Sequence, residues 1–177
     1  SLTERARSSS AFFTSCMFSP DGSLLAAASY DKTVWMWDVQ TGTLLRRLVG
    51  HTDIVSSCAF STDGSSIASV SQDGTLRLWE VDSGALLRIL DGQCRGLRSF
   101  AFSPKNGWLI SVAEDGTLRL WDPGSGMSLH ALEGHTKLMS SYAFGPNGAW
   151  LVSTTYDGTL RLWDATSGDC LRLLVLD

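Results

Sequence analysis

The chain holds 177 residues, 44% of them hydrophobic, with 14 Lys and Arg against 18 Asp and Glu for a formal charge of -4. That is ample apolar material for a core, and the acidic balance offers no positive field to nucleic acid or to an anionic membrane surface, so neither is expected as a partner. No apolar run approaches the roughly 18 residues of a membrane-spanning helix, and residues 1–10 lack the charged-then-apolar order of a signal peptide.

Residues 1–9 form a lead-in that opens on Ser rather than Met, from which we expect an excised or processed piece of a longer protein. The rest, 10–177, repeats. Asp31-Lys32-Thr33-Val34-Trp35-Met36-Trp37 is followed by Asp73-Gly74-Thr75-Leu76-Arg77-Leu78-Trp79, and the second form returns unchanged at 115–121 and 157–163. Trp37, Trp79, Trp121 and Trp163 therefore stand 42 residues apart, and four copies of that period account for 168 residues, at approximately 10–50, 51–92, 93–134 and 135–177. A fixed period of this size marks a repeat architecture.

The second copy shows the elements most clearly. Residues 54–60 are an apolar, β-favouring run that ends in the turn Ser61-Thr62-Asp63-Gly64. Residues 66–71 form a second strand, Gln72-Asp73-Gly74 a hairpin turn and 75–81 a third strand. Asp82-Ser83-Gly84 turns the chain into a fourth strand at 85–90. The other copies follow in step: Phe18, Phe60, Phe102 and Phe144 close the first strand, while Pro20, Pro104 and Pro146 fall in the first turn. Leu76 and Leu78 lie on one face of the third strand and Trp79 on the other, so a lone sheet would expose apolar surface on both sides. Stacking on neighbours buries both, which is the propeller arrangement. The expected fold is all-β: a β-propeller of four consecutive four-stranded antiparallel blades, about 16 strands in all.

Four cysteines are present without a C-x-x-C pair. Cys16 and Cys58 share one repeat position and are expected as small buried hydrophobes, while Cys94 and Cys170 occupy unrelated positions. No metal site, no cofactor and a reduced, cytoplasmic setting are expected. Asp73-Gly74-Thr75 and its sisters are hairpin turns and not phosphate cradles.

These residues resemble the WD-repeat β-propeller family. Its Gly-His, with Trp-Asp following about 28 residues later, corresponds to Gly50-His51 with Trp79-Glu80 and to Gly134-His135 with Trp163-Asp164. The resemblance implies an internal hydrogen-bond network of His51, Ser69, Asp73 and Trp79 in the second copy and of His135, Ser153, Asp157 and Trp163 in the fourth, the hydroxyl being either this serine or the residue two later (Ser71, Thr155). The third copy has Gln93 in place of His, and the first has Ser9 and Ala27, so those blades are expected to be less tightly held. A Ser, a His and an Asp together also suggest a protease. A network that ends on an indole, a donor and never a nucleophile, and that recurs from blade to blade favours a structural role. His130 aligns with Arg46, Arg88 and Arg172 and is expected on a solvated outer face.

The resemblance further implies that partners bind across the face that carries the loops before the first strand and between the second and third. The rim positions there are Phe12, Thr14 and Tyr30; Ile54, Ser56 and Gln72; Gly96, Arg98 and Glu114; Leu138, Ser140 and Tyr156. Aromatic residues and Arg are enriched in interface hot spots, which favours Tyr30, Tyr156 and Arg98. The expected function is a non-catalytic scaffold presenting a rigid propeller face to a protein or peptide. One alternative is a sensor or regulatory segment of a larger multidomain signalling protein. Another is a propeller enzyme or small-ligand binder using the central channel, against which stand its mostly Ser, Cys, Ala and Phe linings.

Four blades are few for this family, so the ring is expected to close through a second chain or through further blades. Trp35 and Met36 in the first copy, and Leu174, Val175 and Leu176 in the last, are unusually apolar. If these stretches meet across a seam, two chains head to tail form an eight-bladed homodimer with two-fold symmetry.

Overall fold

The computed structural model describes residues 12–91, 96–135 and 139–175. Sixteen strands and no helix are found among them. The first sheet comprises β1 (Phe13–Phe18), β2 (Leu24–Ser29), β3 (Thr33–Asp38) and β4 (Leu44–Val49). The second comprises β5 (Val55–Phe60), β6 (Ser66–Ser71), β7 (Thr75–Glu80) and β8 (Leu86–Asp91). The third comprises β9 (Leu97–Phe102), β10 (Leu109–Ala113), β11 (Leu118–Asp122) and β12 (Met127–Leu132), and the fourth β13 (Met139–Phe144), β14 (Trp150–Thr155), β15 (Thr159–Asp164) and β16 (Cys170–Val175). Each sheet is an antiparallel meander with its strands in chain order, and the four sheets are four propeller blades.

Turn chemistry sets the meander. The hairpin between second and third strands places Gly74, Gly116 and Gly158 at φ of 85°, 87° and 82°, where a side chain is strained. The first blade puts Lys32 there instead, at φ 71°.

Two irregularities recur. Where the third strand meets the fourth, the register shifts beside the tryptophan in every blade, between Met36 and Trp37, Leu78 and Trp79, Leu120 and Trp121, and Leu162 and Trp163. Where the first strand meets the second, Val55 pairs with Ser71 but Ser57 with Val70, which leaves Ser56 unpaired. Thr14, Arg98 and Ser140 are bypassed in the same way in the other blades. A bulge of this kind bends the strand and re-aims one side chain.

The core lies between the sheets and not within any one of them. Val34, Met36 and Leu48 pack against Val55, Ile67 and Trp79 of the second blade. Leu76, Leu78 and Leu90 pack against Leu97, Leu109 and Trp121, and Leu118, Leu120 and Leu132 against Leu151 and Trp163. The tryptophan face of a blade thus meets the blade before it, and the leucine face meets the blade after it. Burying one such leucine or isoleucine contributes about 1.5–3 kcal/mol, so stacking supplies what a single sheet lacks.

Two expectations need correction here. Met36 was expected at the open seam with Trp35, but alternation along β3 sends it into the first inter-blade core, where it is 1% exposed. Cys16 was expected to be buried like Cys58. Cys58 is buried because the first blade covers it, whereas Cys16 lies exposed on the first blade's uncovered face. Leu176, placed at the same seam, lies outside the described residues.

Candidate partner-binding rim and the hydrogen-bond network beneath it

At the rim, the hairpins of the first three blades are tied back to the segment that enters the first strand. The N–H of Tyr30 donates to Phe12 O at 2.9 Å, that of Gln72 to Ile54 O at 3.0 Å and that of Glu114 to Gly96 O at 2.9 Å. The unpaired bulge residues sit beside these ties, so each described blade edge combines a hairpin side chain with a bulge side chain. Phe12 and Tyr30 meet edge to face, ring centroids 6.3 Å apart, and both are exposed. Arg98 and Glu114 approach to 3.5 Å as an exposed ion pair, which is worth little in stability and leaves both groups available. Tyr156 is 78% exposed, and Gln72 is exposed. Thr14 is exposed, but its hydroxyl donates to Val55 O of the next blade at 2.7 Å. The hydroxyls of Ser140 and Thr154 bond each other at 2.8 Å. Ile54 and Ser56 are only half-buried. Leu138 lies outside the described residues.

Beneath this rim in the second blade, four side chains form one relay. Trp79 Nε1 donates to Ser69 Oγ at 2.8 Å, Ser69 Oγ lies 2.8 Å from His51 Nε2, and His51 Nδ1 lies 2.9 Å from Asp73 Oδ2. Because an indole only donates and the ionised Asp73 carboxylate only accepts, Nδ1 carries the hydrogen directed at Asp73, and Ser69 accepts from Trp79 while donating its own O–H to Nε2 of the neutral ring. Ser71, the alternative hydroxyl, is engaged elsewhere, donating to Asp53 O at 3.0 Å and accepting the N–H of Asp73 at 3.1 Å.

Charge follows geometry. Burial pushes the Asp73 carboxyl up, but hydrogen bonds from the Thr52 N–H, the Thr75 hydroxyl, His51 and the Thr75 N–H outweigh it and bring the group down to about 2. His51 is held below its ordinary value, chiefly by burial, against the opposing pull of Asp73. The neutral imidazole is therefore the species that completes the relay.

The same order, Ser to His to Asp, is that of a hydrolase triad. Here Ser69 is 0% exposed and already accepts the indole N–H, so no substrate carbonyl can reach its oxygen. What this arrangement does is lock the third strand, the second strand and the entry loop together below the rim.

The fourth blade departs from the expected set. Trp163 Nε1 donates to Ser153 Oγ at 2.8 Å and His135 Nε2 lies 2.5 Å from that oxygen, but Asp157 does not join them. Thr155, standing where the second blade has Ser71, turns its hydroxyl onto Asp157 Oδ1 at 2.5 Å, and the Thr159 N–H adds a bond to that oxygen at 3.0 Å. His135 Nδ1 is left buried without a partner.

The first and third blades are also better satisfied than expected. Trp121 Nε1 donates to Ser111 Oγ at 2.8 Å; Gln93 lies outside the described residues. In the first blade Trp35 substitutes for the missing histidine. Its Nε1 donates to Asp31 Oδ2 at 3.2 Å, Arg47 Nη2 reaches the same oxygen at 3.0 Å, and the Arg47 guanidinium lies 4.2 Å from the centre of the Trp35 ring. The signal was present in the sequence, an indole where the sister copies carry Arg77, Arg119 and Arg161, but it reads equally well as core.

His130 is likewise half-buried and not simply solvated. Its Nε2 bonds Thr166 O of the next blade at 2.8 Å, and Arg46, at the same repeat position, bonds Asp82 O. The outer strand thus braces the following blade, a role that only the stacking reveals.

Among the described residues no helix is long and apolar enough to cross a membrane, and no group of three or more His, Cys, Asp or Glu could hold a metal ion. A 38-residue stretch, 22% of the chain, is 58% identical to the probable serine/threonine-protein kinase PkwA of Thermomonospora curvata, and that stretch spans 5% of the kinase's length. Residues 5–38, 42–80, 84–122 and 126–164 each match the WD40 family, described as WD domain, G-beta repeat. With four matches spread over most of the chain and four stacked four-stranded sheets built around their tryptophans, the chain belongs to the WD-repeat family.

Proposed function

We propose that the chain is a non-catalytic scaffold that binds a protein or peptide across the rim of Phe12, Thr14, Tyr30, Ile54, Ser56, Gln72, Arg98, Glu114, Ser140 and Tyr156. The observation that carries this reading is the bulge at the start of each first strand, which projects one side chain beside an exposed hairpin side chain on a rigid sheet. Exposed Tyr on a rigid frame offers large contact area at low conformational-entropy cost, and Arg adds directed hydrogen-bond donors, the residue types enriched in hot spots. Tyr30, Arg98 and Tyr156 are its anchors, and Leu138 belongs to the same set by repeat position. The free cysteines Cys16, Cys58 and Cys170 support a reduced, cytoplasmic setting.

The test is a selection of displayed peptides on the chain, repeated on a variant with Tyr30, Arg98 and Tyr156 all changed to Ala. Selected binders should lose at least about tenfold in affinity on the variant, with its unfolding midpoint unchanged. Binders indifferent to the triple change would place the site elsewhere.

A second reading is a regulatory segment within a larger signalling protein. The match to part of a probable serine/threonine-protein kinase favours it, since that protein carries a similar stretch within a much longer chain. The two readings are compatible, because a regulatory segment also acts by binding.

A further inference from the structure

At the end of the sheets opposite the rim, the second and third blades meet less tightly than the first and second, and three missing contacts account for it. In the first, second and fourth blades the residue after the third strand ties two turns together. The N–H of Val39 donates to Ser23 O at 2.9 Å, that of Val81 to Ser65 O at 3.0 Å and that of Ala165 to Ala149 O at 2.8 Å. The third blade carries Pro123 at that position, which has no N–H to give. The repeat-related acceptor, Gly107 O, receives no hydrogen bond among the described residues.

The turn that bears Gly107 has also lost its clasp. Ser19 donates to Asp21 Oδ1 at 2.5 Å and Ser61 to Asp63 Oδ1 at 2.6 Å, whereas Lys105 stands in the third blade where those aspartates stand, and Ser103 Oγ is buried without a partner. Arg88 is the third case. Arg46 bonds Asp82 O and His130 bonds Thr166 O across the neighbouring seams. Arg88, at the same repeat position, makes no hydrogen bond or ion pair among the described residues and contributes only its charge to holding the Asp122 carboxyl low.

The result is a hollow of about 540 Å³, against about 300 Å³ at the same place between the first and second blades. Asp63 and Gly64 form part of the smaller one's wall; their counterparts Lys105 and Asn106 do not line the larger one, which reaches inward to Leu78, Leu87 and Phe102. Asp63, the acidic group of the larger wall, is taken up by Ser61 and Ser65. An apolar floor, an unbonded cation and an open carbonyl acceptor therefore face one space.

We infer that this hollow binds a short acidic peptide segment. An aliphatic or aromatic side chain enters against Leu78, Leu87 and Phe102, a neighbouring carboxylate pairs with Arg88, and a peptide N–H donates to Gly107 O in place of the one Pro123 lacks. A peptide is the occupant because it carries side chain, carboxylate and N–H within a residue or two of each other. The site is separate from the rim and stands whether or not the rim binds anything.

The test titrates the isotope-labelled chain with the capped peptides AELEA and AEFEA and follows its backbone amide resonances. Saturable shifts are expected at Leu87, Arg88, Gly107 and Gly124 and not at Tyr30 or Tyr156. Arg88→Ala, and separately glutamine in place of both peptide glutamates, should each weaken binding at least about tenfold. Pro123→Val supplies the N–H that Val81 already uses, and should weaken binding by a similar factor while the melting temperature holds or rises. Changing Tyr30, Arg98 and Tyr156 to Ala should leave binding unaltered, which separates this site from the rim. No saturation at millimolar concentrations of either peptide, shifts confined to the rim, or binding indifferent to Arg88→Ala or to Pro123→Val would each overturn the proposal.

Discussion

Trp79 donates its indole N–H to Ser69 at 2.8 Å, and this contact joins two neighbouring strands at a buried point where neither group can turn to water. It recurs as Trp121 with Ser111 and as Trp163 with Ser153, always ten positions apart. In the second blade Ser69 also holds His51, so one hydroxyl satisfies two side chains.

Ser69→Ala should therefore strand the indole N–H and one imidazole nitrogen together and cost about 2–4 kcal/mol in urea unfolding. Ser71→Ala should cost about 1 kcal/mol, because it removes only a loop tether to Asp53 O and the N–H of Asp73. Equal costs would mean that the relay contributes nothing beyond packing.

Stability should fall with pH in two windows. The free histidine titrates at 6.5 and folding holds His51 below that, so as the pH drops through 6.5 the unfolded chain takes up the proton first. The contribution of neutral His51 is complete above that value and is lost progressively below it. Asp73, lowered from 3.8 to about 2, adds a second loss between those two values. Urea midpoints recorded from neutral pH downward should show both, and His51→Gln should flatten the first, leaving only the part due to His135. A midpoint that rises on mild acidification would contradict a neutral His51 in the folded chain.

Lys32→Gly should stabilise the chain. The left-handed conformation at φ 71° strains a side chain by about 1–2 kcal/mol, more than the exposed bond from Lys32 Nζ to Thr52 O returns. A net gain of about 1 kcal/mol raises the melting temperature by about 2–4 °C in a chain of this size. A lower melting temperature would assign the Lys32 bond a larger role.

The outer-strand brace can be measured by coupling. A Cβ at Gly168 would lie 2.7 Å from the His130 ring, whereas one at Gly22, at similar φ, meets nothing. Gly168→Ala should cost about 2–3 kcal/mol and Gly22→Ala about 1–2 kcal/mol. Adding His130→Ala should relieve part of the Gly168→Ala cost, with a coupling above about 0.5 kcal/mol. Strict additivity would mean that the two blades do not touch there.

Much of the fold was legible because it rests on short-range chemistry. Alternation placed Leu76 and Leu78 opposite Trp79, and Asp-Gly turns placed the hairpins. Strand ends shifted by a residue, as where the fourth strand begins at Leu86 and not Ala85. The bulges were not legible, because Thr14, Ser56, Arg98 and Ser140 look like ordinary strand residues until their partners across the sheet are known. Asp157 was misplaced for a similar reason. Its repeat position equals that of Asp73, yet the methyl-bearing Thr155 beside it captures the carboxylate that Ser71 leaves free for histidine.

The sequence by itself determined the period, the strand count, the direction of each turn and the need for every sheet to be covered on both faces, since all of these follow from residue type and spacing along one strand. Only the tertiary structure decided that Ser69 and not Ser71 completes the relay, that Trp35 serves Asp31, that Met36 turns inward and that Cys16 stays in the open. Hydrogen-bond partners and burial depend on ångström-scale approach between strands and between blades, and residues identical in repeat position differ when their neighbours do.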